Sequence, residues 1–224
     1  MIANLLPPWV ASCESSTDLG EEGLFPAERE VIARAVAKRR AEFSTVRACA
    51  RQALGRLGIP PAPILPGERG APSWPAGVVG SMTHCDGYRA AAVAPAERAV
   101  GIGMDAEPHD ALPEGVLGMV TRPEELPRLA ALAGAHPDVH WDRLLFTIKE
   151  SVYKVWFPIT RRWLDFDGAS VHIDPSGTDP TAGRFVAELQ VRGPTVNGAE
   201  LTALAGQYLV TGGVLLSAIV LERA

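Results

Sequence analysis

Apolar and polar positions alternate along this chain with two different periods, and the periods mark its elements. From about Val36 to Leu57, the apolar positions Phe43, Val46, Ala50, Leu54 and Leu57 keep helical spacing, and Gly58-Ile59-Pro60 ends the run. A second helical stripe, Leu144, Leu145, Ile148, Val152 and Val155, spans about Asp142 to Phe157 and is predicted to stop at Pro158. Pro26-Ala27-Glu28 reads as a helix start. Between the long helices, Val78 to His84 and Tyr88 to Ala94 read as strands joined by a turn at Cys85-Asp86-Gly87. Ala99 to Asp105 is a third, apolar strand. After the second helix, strands are predicted at 168–173, 184–191, 207–210 and 214–221, the last two a hairpin through Thr211-Gly212-Gly213. Residues 1 to 25, and a Pro/Gly-rich stretch from Pro60 to Gly77, carry no period. Short helices are expected near Leu117 and Leu129. Helix and antiparallel strands thus recur twice, which predicts an α+β fold of two similar lobes, 1–104 and 105–224.

Composition narrows the function classes. Of 224 residues, 47% are hydrophobic and 21% charged, the profile of a water-soluble globular chain. A net charge of -5 argues against a general nucleic-acid binder. No apolar stretch is long enough for a membrane span, and the start of the chain does not read as a signal peptide. Cys13, Cys49 and Cys85 are odd in number and far apart, so no metal-ligand spacing or disulfide framework is expected. A reducing, cytoplasmic setting fits that usage.

The candidate chemistry lies in two acidic motifs. The strand ending Val100-Gly101-Ile102-Gly103-Met104-Asp105-Ala106-Glu107 puts Asp105 and Glu107 on one side, because strand side chains alternate. The helix segment Phe146-Thr147-Ile148-Lys149-Glu150-Ser151-Val152-Tyr153-Lys154 adds a third carboxylate and two of the chain's three lysines. Glu150 and Lys154, four residues apart, share a helix face. Three carboxylates suit a hard divalent cation such as Mg²⁺, and ammonium groups beside them suit phosphate. On spacing alone, a surface Glu150–Lys154 pair and a polar loop start at Asp105 remain alternatives. Ser81-Met82-Thr83-His84 offers hydroxyls and an imidazole near a strand end; alone, His84 reads as an ordinary half-buried histidine. Lys38, Arg39, Arg40, Arg47 and Arg51 read as a solvated helix face poor in carboxylates. Asp110, His109, His136 and His140 read as solvent-facing.

Taken together these segments resemble the 4'-phosphopantetheinyl transferases of the larger, monomeric, two-lobed type. The matching pieces are the Asp105-x-Glu107 strand end, the Lys149-Glu150-x-x-x-Lys154 helix, Gly80-Ser81-Met82-Thr83-His84-Cys85, Lys38 to Phe43 with Thr45-Val46-Arg47, and Pro60 to Leu65. The resemblance implies an active site in the cleft between the lobes. It implies coenzyme A as donor, Mg²⁺ as cofactor, and transfer of the 4'-phosphopantetheine arm to a serine of an apo acyl or peptidyl carrier protein, with release of adenosine 3',5'-bisphosphate. By motif match, Asp105, Glu107 and Glu150 would hold Mg²⁺. Arg39, Arg47, Arg69, Ser81, Met82, Thr83 and His84 would hold the nucleotide, and Lys149 and Lys154 would face the pyrophosphate. Glu150, Lys154 and Asp105 would be catalytic. Ala106, Ser151 and Arg69 depart from the residues many members carry. Two other readings are a Mg²⁺-dependent enzyme acting on a nucleotide pyrophosphate, and a non-catalytic coenzyme A or carrier binder.

Overall fold

A computed structural model describes all 224 residues. In chain order the elements are β1 (Ala11–Ser15), α1 (Pro26–Ile32), α2 (Ala37–Arg56), β2 (Val78–Cys85), β3 (Tyr88–Pro95), β4 (Ala99–Pro108), α3 (Leu117–Val120), α4 (Glu125–Ala135) and α5 (Trp141–Thr160). They continue as β5 (Ala169–Ser176), β6 (Asp179–Leu189), β7 (Thr195–Val196), β8 (Ala199–Glu200), β9 (Ala203–Thr211) and β10 (Val214–Glu222). Three antiparallel strands make one sheet, in the order β1-β3-β2, and five make a second, β4-β10-β9-β6-β5. No helix is long and apolar enough to cross a membrane.

Alternation along β3 explains the layering. Ala90, Ala92 and Ala94 face a cluster shared with Ile102, Met104 and Ala106 of β4 and with Leu216 and Ala218 of β10. Ala91 and Val93 face the other way, onto Cys49, Ala50, Ala53 and Leu54 of α2. The two sheets therefore meet through a thin, alanine-rich layer, and each carries a long helix on its far side. The largest cluster packs α5 against the five-stranded sheet through residues such as Trp141, Leu144, Ile148 and Phe185.

Several sequence boundaries move. The lobe boundary expected at Asp105 falls inside β4, which is continuous and belongs wholly to the five-stranded sheet. The change of sheet lies in the turn between Pro95 and Ala99. Pro158 sits inside the last turns of α5, which runs on to a left-handed cap at Arg161, φ 56°. Residues 1–25 hold a short 3₁₀ turn, Ile2–Leu5, and the edge strand β1. The charged face of α2 is not simply solvated. Lys38, Arg40 and Arg51 meet Asp86, Glu21 and Glu28 from other segments at 2.5, 2.7 and 2.9 Å.

Candidate active site in the interlobe cleft

Two glycines decide how the site is assembled. On β4, Gly101, Gly103 and Asp105 alternate toward α5, while Ile102, Met104 and Ala106 enter the intersheet core. A Cβ at Gly103 would lie 2.0 Å from the carbonyl oxygen of Ser151, and one at Gly101 would lie 3.3 Å from Ile159 Cδ1. Bare backbone there lets α5 rest directly on the strand. That close approach brings Lys154 over Asp105, with Nζ 2.6 Å from Oδ1 and 3.1 Å from the Met104 carbonyl oxygen.

The strand is fixed on its other edge by hydroxyls. Ser81 Oγ accepts the Met104 N–H at 3.1 Å, and Thr83 Oγ1 accepts the Ala106 N–H at 3.0 Å. Thr83 then donates to Asp105 Oδ1 at 3.0 Å. β2 and β4 thus lie side by side without a backbone ladder. Both hydroxyls are buried and position β4.

Asp105 is 6% exposed, and its Oδ2 is buried with no hydrogen-bond partner. An orphaned carboxylate oxygen in such a place is costly unless something binds it. The Glu150 carboxylate makes no ion pair or hydrogen bond within the chain, and burial, then the Asp105 charge, raises its pKa. Glu107 is raised by burial and then Asp105, against Arg143, whose Nη1 donates to Oε2 at 2.9 Å. The three carboxylates are near enough to repel one another electrostatically. They are not gathered into one ligand set, since no group of three or more His, Cys, Asp or Glu converges at ligand distance. Asp105 turns one oxygen to Lys154, and Glu107 turns one to Arg143. The free oxygens and mutual repulsion nevertheless fit a hard, oxygen-seeking cation.

A cavity of about 870 Å³ opens beside this cluster. Glu150 and Lys154 line one wall, and Arg39, His84, Ser81 and Met82 another. Arg69 lies at its rim, in a left-handed conformation (φ 52°), with its guanidinium carbon 5.0 Å from the centre of the Trp163 ring across the cleft. Arg39 Nη1 stands 2.7 Å from His84 Nε2. Burial, and then Arg39 and Lys154, push the His84 pKa down to about 4, so the imidazole is neutral and Nε2 accepts from Arg39. A smaller cavity of about 150 Å³, lined by Tyr153, Trp163, Leu164 and Phe166, shares Glu150 and Tyr153 with the first.

Three of the expected coenzyme A ligands are engaged elsewhere. Lys149 is buried away from the main cavity and touches only the smaller one, donating to Glu125 Oε2 at 2.7 Å and to the Phe166 carbonyl at 2.8 Å. Adjacent residues on a helix point about 100° apart, so Lys149 and Lys154 cannot both face the Glu150 side. Arg47 touches the cavity wall, but its Nε donates to the Ile64 carbonyl at 2.9 Å and its guanidinium stacks on Phe43. Thr83 serves Asp105 and β4 rather than the cavity. Conversely, sequence reasoning passed over Arg143, Arg161, Tyr153 and Trp74. Arg161 joins the wall because the left-handed cap of α5 turns it there, and Trp74 is held by its indole N–H to the Gly80 carbonyl at 3.0 Å. Neither had a local signal. Tyr153 lies in the motif, but its spacing marks it only as part of the helix.

The chain matches two family models in succession. Residues 27–94 match the 4'-phosphopantetheinyl transferase N-terminal domain, and residues 101–192 the 4'-phosphopantetheinyl transferase superfamily. It is 54% identical over 222 residues to the 4'-phosphopantetheinyl transferase Svp of Streptomyces mobaraensis, covering 98% of this chain and 88% of that one. It is 47% identical to PptT of Mycobacterium tuberculosis, over 99% of this chain and 98% of that one, and 48% identical to Npt of Nocardia iowensis, over 98% and 99%. Both proteins are likewise 4'-phosphopantetheinyl transferases.

Proposed function

The chain belongs to the 4'-phosphopantetheinyl transferase superfamily, and from that premise we propose that its cleft transfers the 4'-phosphopantetheine arm of coenzyme A to a serine of apo acyl or peptidyl carrier proteins. The observation that carries this reading is the junction of the main cavity with the Asp105–Lys154 pair, where the unpartnered Glu150 lines the wall. Arg39 and Arg69 present guanidinium groups suited to the phosphates of the nucleotide end. The smaller, aromatic-lined cavity suits a slim neutral arm, and Glu150 stands at its junction with the larger one.

Asp105, through its orphaned oxygen, and Glu150 would hold Mg²⁺, with Glu107 close by. Bound there, the ion supplies charge neutralisation at the pyrophosphate. Glu150 takes the proton of the carrier serine, directly or through a water. Burial and the Asp105 charge raise its proton affinity only while no cation is bound, so the base role rests on its position at the cavity wall. Lys154, locked by Asp105 and the Met104 carbonyl, presents a fixed ammonium to the charge that grows on the leaving phosphate. Neutral His84 can donate from Nδ1 while accepting from Arg39.

Mass spectrometry of an apo carrier protein incubated with coenzyme A and Mg²⁺ tests the reading. One phosphopantetheine is expected on its serine, with one equivalent of adenosine 3',5'-bisphosphate released only when the carrier is present. Release without a carrier would instead indicate a pyrophosphate hydrolase.

A further inference from the structure

Behind the nucleotide wall of the main cavity lies a carboxylate that the mechanism does not use. Glu42, one turn along α2 from Arg39, is 8% exposed and does not line the cavity itself. Its Oε2 stands 3.5 Å from His84 Nε2 and 3.9 Å from Arg39 Nη1, and those two side chains do line it. Both separations are ion-pair distances, longer than a good hydrogen bond. The Glu42 carboxylate makes no hydrogen bond within the chain, whereas Arg39 Nη1 is 2.7 Å from His84 Nε2. A buried carboxylate without a donor is costly, and Nε2 is the nearest atom that could become one.

Nε2 therefore has two possible partners, and the charge on the ring selects between them. In the free protein the ring is neutral and Nε2 accepts from Arg39. The charged groups facing the ring are Arg39 and Glu42 of α2, Arg89 of β3, Asp105 of β4 and Lys154 of α5. Two of the three cations are held by carboxylates at short range, Arg89 by Asp18 at 2.9 Å and Lys154 by Asp105 at 2.6 Å. Arg39 is not, and its side chain is half exposed. A phosphate monoester brings about two negative charges and three acceptor oxygens, a better partner for a guanidinium than a neutral ring nitrogen.

We propose that Glu42 is a positioning residue for the phosphate monoester of coenzyme A, an inference that rests on the coenzyme A reading of the cleft. When the phosphate draws Arg39 off Nε2, His84 takes a proton from solvent. Its ring then donates from Nε2 to Glu42 and from Nδ1 to the phosphate. The buried carboxylate gains its donor only in the complex. Glu42 supplies the counter-charge that holds an imidazolium where burial opposes one. Coenzyme A is thus bound with uptake of a proton, and its 3'-dephospho form is not.

The test is imidazole-nitrogen NMR at pH 7 in metal-free buffer, with His84→Gln identifying the signal and calorimetry giving the affinities. His84 should be neutral in the free protein and with saturating 3'-dephospho-coenzyme A, and an imidazolium with saturating coenzyme A. In Glu42→Gln it should stay neutral with either ligand. The Kd of that variant for coenzyme A should rise at least about tenfold, the worth of a charge-assisted hydrogen bond, with little change for the 3'-dephospho form. Glu42→Asp should restore part of both effects. A neutral His84 in the coenzyme A complex of the unsubstituted protein would overturn the proposal. So would an imidazolium in the Glu42→Gln complex, or an equal loss of affinity for the two ligands. Should Glu42→Gln fail to fold, the two complexes of the unsubstituted protein decide alone. Failure of coenzyme A to bind the unsubstituted protein at all would overturn the reading of the cleft, and this inference with it.

Discussion

Lys149 and Glu125 form a buried ion pair, 2.7 Å apart and 2% and 1% exposed, that repeats the geometry of Arg51 and Glu28 in the other lobe. Each glutamate lies in the first turn of a short helix and accepts the backbone N–H three residues before it, from Arg122 and from Phe25. Each also accepts a backbone N–H from the segment that follows the long helix, Val171 and Ile64. Each is paired with a cation from that helix, α5 or α2. The likeness of the lobes thus extends to a repeated polar core, and Lys149 is the counterpart of Arg51.

Lys149→Met should therefore act on stability. Removing one partner of a buried pair leaves the other charge unpaired, at a cost of about 3–5 kcal/mol. The double variant Lys149→Met/Glu125→Gln should recover part of that loss. Urea denaturation gives the stabilities. Among folded molecules, any rise in the KM for coenzyme A should be small beside the loss of stability, since Lys149 touches only the smaller cavity; a large rise with unaltered stability would return Lys149 to the pyrophosphate.

Why the sequence could not reveal this is physical. The Lys149-Glu150-x-x-x-Lys154 spacing tells which residues share a helix face, and it correctly groups Glu150 with Lys154. It does not tell which face meets which neighbour. That depends on Gly101 and Gly103, whose closeness to α5 becomes visible only in three dimensions. The long helices and most strands were legible because their apolar stripes are regular. β1 was not, because its residues Ala11-Ser12-Cys13-Glu14-Ser15 are mostly polar and are held by pairing with β3. Alternation placed Asp105 and Glu107 on one side of β4. Their cations, Lys154 and Arg143, come from α5 and leave no trace in the strand's own pattern.

Gly103→Ala tests the assembly of the site. Its Cβ would fall 2.0 Å from a backbone oxygen, so α5 must move. Overpacking of this kind costs about 1–3 kcal/mol, and here it would also pull Lys154 from Asp105. A loss of kcat larger than the loss of folded fraction is expected. Unchanged turnover and stability would mean that the close approach is not needed.

Arg39 and Arg47 should separate. Arg39 is exposed on the cavity wall, so Arg39→Ala should raise the KM for coenzyme A about ten- to hundredfold, the worth of a charge-assisted hydrogen bond. Its preference for coenzyme A over the 3'-dephospho form should shrink if it holds that phosphate. Arg47 is 5% exposed and bonded to the Ile64 carbonyl, so Arg47→Ala should lower the melting temperature instead. Identical kinetic and thermal profiles for the two variants would argue against the distinction.

Asp105→Asn keeps the volume and a side-chain oxygen for Thr83 while removing the charge. Turnover should fall by about a hundredfold or more, because the fixed ammonium of Lys154 loses its partner. A second readout does not depend on activity. The Asp105 charge is a cause of the raised Glu150 pKa, so that pKa should move back toward the ordinary carboxylate range, as read by carboxyl-carbon NMR. An unmoved Glu150 titration would place the two carboxylates too far apart for a shared site.

Glu150→Gln should show function and stability pulling in opposite directions. Burial first, and the Asp105 charge second, raise the folded-state pKa of Glu150, so the folded protein binds its proton more tightly than the unfolded chain does. Stability therefore declines as pH rises from the unfolded value of 4.5 through the raised folded value, and the cost is complete above that window. Glutamine carries no such cost. In metal-free buffer near pH 7, Glu150→Gln should melt at a higher temperature than the unsubstituted protein, and the gap should close as pH drops below the window. Its kcat should fall by about a hundredfold or more, the scale of a lost general base. Melting curves from pH 4 to 8 and single-carrier kinetics at saturating coenzyme A and Mg²⁺ check both halves. A variant that melts lower at neutral pH would mean that Glu150 is favourably paired, and full turnover would remove it from proton transfer.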